Sequence, residues 1–391
     1  MKMKTTQRVT ILVVLAVWAA TASAVQIVAG PYLQAPTETS MTVMWITDRN
    51  CTSWVEFGSA DTLDRKAHHS RHGLIEADQT VHRVTLQNLA PGTSYQYRIG
   101  SKEIVEFKPY QVTYGETLRS DTYTFKTLNG KKERISFVVL NDIHERNEIL
   151  ISLLKIAEVK PYDLVFLNGD ILGHIEDQQQ IIDHVLAPCT NLFASRTPFV
   201  YVRGNHETRG RFARRLPDYL ALSDDRYYYA FDHGPVHFVV LDGGEDKRDS
   251  DKEYSGLVDF DGYREVQRQW LKQEIQSTAF RRAPFRVVVV HMPPLPSEDW
   301  HGVDDMYNKW RPILNDGKVD LMICGHTHHF TILEPQIGVR DYPMVIGGAP
   351  KAGEATLIRV DATAEKLDVT VTRDDSAIIG TYHVKQQRSS N

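Results

Sequence analysis

The chain has 391 residues, of which 42% are hydrophobic and 24% charged, with a formal net charge of -5. Such a length suggests two domains or slightly more, and the balance is that of a globular protein with enough apolar material for large cores. With no basic excess to neutralise phosphates, stable nucleic-acid binding is not expected, while a small phosphorylated substrate is compatible.

Lys2, Lys4 and Arg8 make a positive start, residues 9–20 are an apolar run, and Ala22-Ser23-Ala24 is a small-x-small cleavage site. This is the layout of a secretory signal peptide over residues 1–24, too short for a comfortable membrane span, with an uncleaved anchor as the alternative. The expectation is an exported chain, periplasmic or extracellular, with no transmembrane segment in the mature protein. Cys51, Cys189 and Cys324 are far apart and odd in number, so they read as buried free thiols rather than a disulfide framework.

Residues 25–128 read as all-β. Short β-branched and aromatic runs at 41–47 (MTVMWIT), 54–57, 81–89, 95–99 and 122–128 alternate with Gly, Pro, Asn and Asp, which suggests a sandwich. The stretch Leu89-Ala90-Pro91-Gly92-Thr93-Ser94-Tyr95 resembles the tyrosine-corner region of fibronectin type III modules, with Tyr95 as the corner and Trp45 as a core anchor. The polar segment 129–134 (NGKKER) marks a domain boundary, so a second domain is expected over 133–375 and a C-terminal segment over 376–391, ending in a frayed polar tail from Gln386.

Past the boundary the texture changes to strand-loop-helix. Apolar runs at 135–140 (ISFVVL), 164–167, 199–202, 236–241, 286–290 and 321–324 read as buried strands, and 344–346, 355–360 and 367–372 as closing ones. Helical stretches fall at 148–159, at 265–276 with Val266, Trp270 and Ile275 on one face, and at 306–314. This α/β pattern puts functional residues on loops at the C-terminal ends of strands.

Short polar motifs occupy those loops. Asp142-Ile143-His144 follows the first run, Gly169-Asp170 the second, Gly204-Asn205-His206-Glu207 the third, His291 follows 286–290, and Gly325-His326-Thr327-His328 follows 321–324. Carboxylate, imidazole and amide oxygen suit divalent ions, no thiolate is in the set, and residues two apart chelate together from a tight loop. Taken singly, Asp-x-His is a solvated loop and Gly-Asp a turn; the conjunction at strand ends is what carries the reading.

The series resembles the calcineurin-like metallophosphoesterase signature, D-x-H, G-D, G-N-H-[D/E], H and G-H-x-H, over residues 135–373, and Gly30-Pro31-Tyr32-Leu33-Gln34 is similar to the fibronectin-like domain that precedes the catalytic domain in purple acid phosphatases. The resemblance implies a β-sandwich followed by two mixed sheets packed face to face and flanked by helices. It also implies one metal held by Asp142, His144 and His328, a second by Asn205, His291 and His326, with Asp170 bridging, and His206 facing the phosphate as the catalytic residue. Purple acid phosphatases are similar in G-D-x-x-Y, where the Tyr binds ferric iron; here that position is Gly173, and His144 stands where those enzymes have another residue. Two divalent ions, Mn²⁺ or an Fe/Zn pair, are therefore expected as cofactors.

Two such ions about 3.5–4 Å apart would share a hydroxide that attacks phosphorus, with His206 as an imidazolium assisting. The expected function is an exported dinuclear phosphoester hydrolase, with phosphomonoesters favoured. The alternatives are a phosphodiesterase or nucleotidase of the same fold, or a secreted binding protein with a vestigial site. Arg203, Arg209 and His174 are candidate substrate contacts, with a solvated face as the plainer reading for the arginines. His68, His69 and His72 read as an exposed loop, His329 as pointing away, and residues 243–261 as a long mobile insertion, at most a lid.

Overall fold

A computed structural model describes residues 24–59 and 61–386, so the signal-peptide reading of 1–24 and the end of the polar tail, 387–391, lie outside the described residues apart from Ala24. Among the described residues no helix is long and apolar enough to cross a membrane.

The first module is organised by one long strand, Met41–Ser59. Its first part pairs antiparallel with Ile27–Gln34 and with Gln79–Leu86. After a register shift between Ile46 and Cys51, its second part pairs with Ser94–Lys108 and the short Arg65–Ala67. One strand thus serves both layers of a β-sandwich. The sequence suggests two strands here because the polar Asp48, Arg49 and Asn50 interrupt the apolar run where the chain passes between layers. Trp45 is fully buried and donates its indole N–H to Ser101 Oγ at 2.9 Å. The Tyr95 hydroxyl accepts from the Ala90 N–H at 2.9 Å, the corner contact that the 89–95 text implies. Cys51, Cys189 and Cys324 are free and buried.

The second domain contains two six-stranded mixed sheets. The first runs in the order Phe199–Val202, Leu164–Asn168, Ile135–Leu140, Thr356–Ala362, Lys366–Arg373, Ile378–Lys385. The second runs Tyr229–His233, Val236–Val240, Phe285–Val289, Leu321–Cys324, Met344–Ile346, Thr331–Leu333. Their inner faces meet in one core through Val139, Phe166, Phe238, Val287 and Ile323, and the outer faces are covered by helices. Asn147–Ala157 packs on the first sheet, and Phe260–Glu274 and His301–Asp316 on the second. Burial on both faces is why these strands read as continuous apolar runs.

The structure also departs from the sequence reading in the second domain. The strand Ile378–Lys385 pairs with Lys366–Arg373, so the sheet runs on past residue 375; it is an edge strand with only Val384 buried, and its apolar signal is weak. On the helix Phe260–Glu274, Trp270 and Ile275 pack against the core as expected but Val266 is 57% exposed, and the buried face is completed by Arg264, Gln267 and Leu271. Arg264 donates to Asp305 Oδ2 at 2.7 Å and to the Gly243 carbonyl at 2.9 Å, and Gln267 Nε2 donates to the Asp242 carbonyl at 2.6 Å. Buried polar side chains satisfied in this way carry no apolar period. The same bonds pin the start of the expected insertion, where residues 242–246 are buried; only 247–259 stay near the surface.

The two modules share a core. Ala29, Tyr32, Met44 and Ile46 pack in one cluster with Leu150, Leu216 and Tyr219. Tyr32 donates to the Tyr219 carbonyl at 2.9 Å and Tyr97 to the Ser195 carbonyl at 2.7 Å.

Candidate metal centre

Ile135–Leu140, Leu164–Asn168 and Phe199–Val202 are parallel neighbours in one sheet, as are Phe285–Val289 and Leu321–Cys324 in the other. Their carboxyl ends open on a common edge, which gathers the motifs. The loops must turn sharply there. Asp142, His144, Asp170, His326 and His328 all adopt left-handed backbone, with φ of 56°, 46°, 51°, 72° and 56°, a conformation that L side chains hold only where the surroundings impose it.

Glu207 is a large part of that imposition. Fully buried, its carboxylate accepts from the backbone N–H groups of Ile171 (2.7 Å), Leu172 (3.0 Å), Asp170 (2.9 Å) and Gly204 (2.9 Å) and from the Tyr201 hydroxyl (2.9 Å). Burial and the neighbouring Asp170 push its carboxyl up to about 7, yet an array made only of donors calls for the ionised form. Asp142 is fixed in turn by the His326 N–H at 3.0 Å and Asn141 Nδ2 at 2.8 Å. A Cβ on Gly204 would collide with Asp170, and one on Gly169 with the His291 ring, so close approach demands glycine at both positions.

The ligand atoms of Asp142, His144, Asp170 and His328 lie within 4.8 Å of one another, as do those of Asp170, His291 and His326, and Asp170 belongs to both groups. Asn205 Oδ1 joins the second group at 3.1 Å from His326 Nδ1. Within the first, His144 Nε2 is 3.2 Å from His328 Nε2, and His328 Nε2 is 3.4 Å from Asp142 Oδ1. His291 Nε2 is 3.1 Å from Asp170 Oδ2.

Charge in this cluster is unbalanced. Burial disfavours a cation at His291, but the Asp170 and Asp142 carboxylates outweigh it and raise the ring to about 10. Burial also works against charge on Asp170, yet His291, His206 and His144 hold it well below the carboxylate range. Burial takes His144 and His326 to about 4, leaving lone pairs available. His291 Nδ1 donates to the Asn168 carbonyl at 2.8 Å, which aims Nε2 inward. His326 Nε2 is buried without a hydrogen-bond partner, and His291 Nε2 meets only the Asp170 carboxylate, 3.1 Å away. Inward-facing imidazole nitrogens around anchored carboxylates, with no thiolate, fit a pair of divalent ions.

His206 stands at the rim, outside both groups. Its N–H donates to Asp170 Oδ1 at 3.0 Å and its Nδ1 to the Gly173 carbonyl at 2.8 Å, while Nε2 accepts from Arg209 Nη1 at 3.0 Å. A carbonyl on one side and a guanidinium donor on the other fix the orientation of this ring at the rim. Arg209 is gripped by the buried Glu245, to Oε1 from Nε at 2.8 Å and to Oε2 from Nη2 at 3.0 Å.

The other substrate candidates fare differently. Arg203 does not present its charge to the cluster: it pairs with the buried Asp242 at 2.6 Å and stacks over Tyr227 at 4.3 Å. His174 is exposed, beside Gly173 and outside both ligand groups. His68, His72 and His329 are exposed and His69 half-buried. A Cβ at position 173 would sit 4.0 Å from His144 Nδ1, so the His144 ring lies in the space toward which a side chain there would grow. Glu207 and Glu245 escaped the sequence reading. The first stood in plain view inside the Gly-Asn-His-Glu motif; the second has no local signal.

Residues 135–330 match the family model described as calcineurin-like phosphoesterase, and residues 30–127 that of the N-terminal domain of purple acid phosphatase. The chain is similar to purple acid phosphatase 21 of Arabidopsis thaliana, 25% identical over 306 residues that cover 74% of this chain and 62% of that protein. It is likewise similar to acid phosphatase type 7 of Homo sapiens, 25% identical over 329 residues, 76% of this chain and 68% of the relative. Under two thirds of the length of the Arabidopsis relative is therefore matched. Two solved structures share the fold. A purple acid phosphatase from yellow lupin (Lupinus luteus) seeds has a TM-score of 0.67 at 16% identity, covering 91% of this chain and 74% of that one. PhoD has a TM-score of 0.62 at 12% identity, covering 91% and 89%.

Proposed function

This chain belongs to the calcineurin-like phosphoesterase family, and from that premise we propose that it is an exported, metal-dependent phosphoric ester hydrolase acting on phosphomonoesters. The observation that carries the reading is the convergence of Asp142, His144, Asp170, Asn205, His291, His326 and His328 into two groups that share Asp170. We assign one ion to Asp142, His144 and His328 and the other to Asn205, His291 and His326, with Asp170 serving both. When bound, such ions supply Lewis acidity at the phosphoryl group and acidify the attacking water. The absence of a phenolic side chain at Gly173, with His144 filling the space, supports divalent ions, Mn²⁺ or an Fe/Zn pair, over a ferric tyrosinate.

The chain's own residues then divide the work. His206 Nε2 lies at the rim, 3.0 Å from Arg209 Nη1; once Arg209 turns Nη1 to a phosphoryl oxygen, the freed Nε2 takes up a proton from solvent and, as the imidazolium, passes it to the leaving oxygen. Glu245 holds the guanidinium plane for that exchange, and Gly173 holds the ring through Nδ1. Export rests on the charged, apolar and small-residue pattern of residues 1–24; N-terminal sequencing of protein recovered outside the cytoplasm should begin near Val25.

Turnover of p-nitrophenyl phosphate against bis(p-nitrophenyl) phosphate, after chelation and then Mn²⁺ readdition, tests the activity. We expect the monoester to be cleaved faster, chelation to abolish turnover and Mn²⁺ to restore it. Faster diester cleavage favours the phosphodiesterase alternative, and no turnover of either with metal present favours a binding module.

A further inference from the structure

Directly after His291 the chain makes an excursion and comes back. Met292 is buried, Pro293, Pro294 and Pro296 each fix φ along the way, and the Trp300 N–H donates to Ser297 Oγ at 3.0 Å. This stiff path sets the Trp300 ring 4.7 Å from the His326 ring, centroid to centroid, with the planes inclined at 71°. The residue keeps 38% of its surface exposed and belongs to none of the apolar cores of the described residues. The next step of the chain is anchored hard: the Gly302 N–H donates to the Asp246 carbonyl at 2.7 Å, and a Cβ there would collide with the Glu245 carbonyl. Glu245 is the residue that grips Arg209 beside His206. Glu245 thus ties the Arg209–His206 pair to the backbone two residues after Trp300, and the half-exposed indole itself lies beside the His326 ring.

We propose that Trp300 is a subsite for the leaving group, and that the substrate is a phosphate ester whose leaving group carries a planar aromatic or heteroaromatic ring. The proposal rests on the reading of the site as a phosphoester hydrolase. A phosphoryl group placed among the ligands directs its ester oxygen toward the His206 rim, and a ring beyond that oxygen meets the indole. Aromatic pairs in offset or edge-to-face contact gain a preference of roughly two- to tenfold over an aliphatic group, and the prolines lower the entropy lost when the indole is used.

Phenylphosphonate and methylphosphonate, whose C–P bonds the enzyme does not cleave, separate ring recognition from chemistry. By calorimetry on the Mn²⁺-loaded protein, phenylphosphonate should bind about fivefold more tightly than methylphosphonate. Trp300→Ala and Trp300→Leu should remove that preference and leave methylphosphonate affinity unchanged, and Trp300→Phe should keep most of it. With phenyl phosphate as substrate, both non-aromatic variants should raise KM with kcat little altered. Equal affinity for the two phosphonates in the wild type, or equal losses for both in the variants, overturns the subsite while monoester turnover leaves the hydrolase reading standing. A ring preference that depends on Trp300 without turnover of any phosphoester does the reverse.

Discussion

Asp170 does several jobs at once: Oδ1 accepts the His206 N–H at 3.0 Å, Oδ2 lies 3.1 Å from His291 Nε2 and 3.7 Å from His144 Nε2, and its backbone is held left-handed. Glu207 supports it from behind. Glu207→Gln replaces one acceptor oxygen by a donor amide that faces N–H groups, so we expect a loss of about 1–3 kcal/mol and metal affinity weakened roughly 10–100-fold. Denaturant unfolding and Mn²⁺ titration check this; unchanged values for both would return Glu207 to a spectator. His206→Ala should keep its metal and lose at least about tenfold in rate, read by metal analysis beside steady-state kinetics, and loss of metal would make His206 a ligand. The residues that gather at the candidate centre were legible because each one sits on a loop that directly follows an apolar strand. Arg203 and Arg209 were not separable in the sequence, since what distinguishes them is which buried carboxylate, Asp242 or Glu245, each one meets. The role of Glu207 was hidden for the same reason, because its donors come from residues 170–172, 201 and 204 and converge only on folding.

Among the elements, the helix Phe260–Glu274 shows most clearly what an apolar period misses. It is tied to the site by polar bonds, with Arg264 reaching the carbonyls of Gly243 and Glu245 and the Asp305 and Asp261 carboxylates. Arg264→Ala would leave Asp305 to Lys309 alone, 2.7 Å away, and strip the buried Gly243 and Glu245 carbonyls of their donor, so we expect a loss of about 1–3 kcal/mol and a weaker hold of Glu245 on Arg209. A thermal melt unchanged by the substitution would refute the assignment. The central strands were readable because burial on both faces leaves an unbroken apolar run. The edge strand Ile378–Lys385 and the sheet-crossing part of Met41–Ser59 were not, since solvent on one face and a polar bend dilute that signal.

At the level of the whole molecule, the sandwich and the metal-bearing domain are one packing unit, because Tyr32, Met44 and Ile46 complete a core with Leu216 and Tyr219. Calorimetry should show a single transition, and two resolved transitions would separate the modules. The joint also carries an acid-sensitive contact. Burial pushes the Asp163 carboxyl up, but His233, Lys132 and the Ser136 N–H outweigh it and hold it at about 2. A carboxyl held lower in the folded than in the unfolded chain stabilises at pH above its unfolded value, near 4. That contribution, about 2 kcal/mol, fades as pH falls from about 4 to about 2. Asp163→Asn should therefore lower the Tm at pH 6 and flatten the decline of Tm between pH 5 and 2. The proposed activity depends on a centre that holds two ions around one shared carboxylate, Asp170. Metal content per chain, measured on wild type and Asp170→Ala after Mn²⁺ loading, tests that most directly. Two ions in the wild type, with both positions emptied or strongly weakened in the variant, is the predicted result, and full retention of both ions by Asp170→Ala would contradict it.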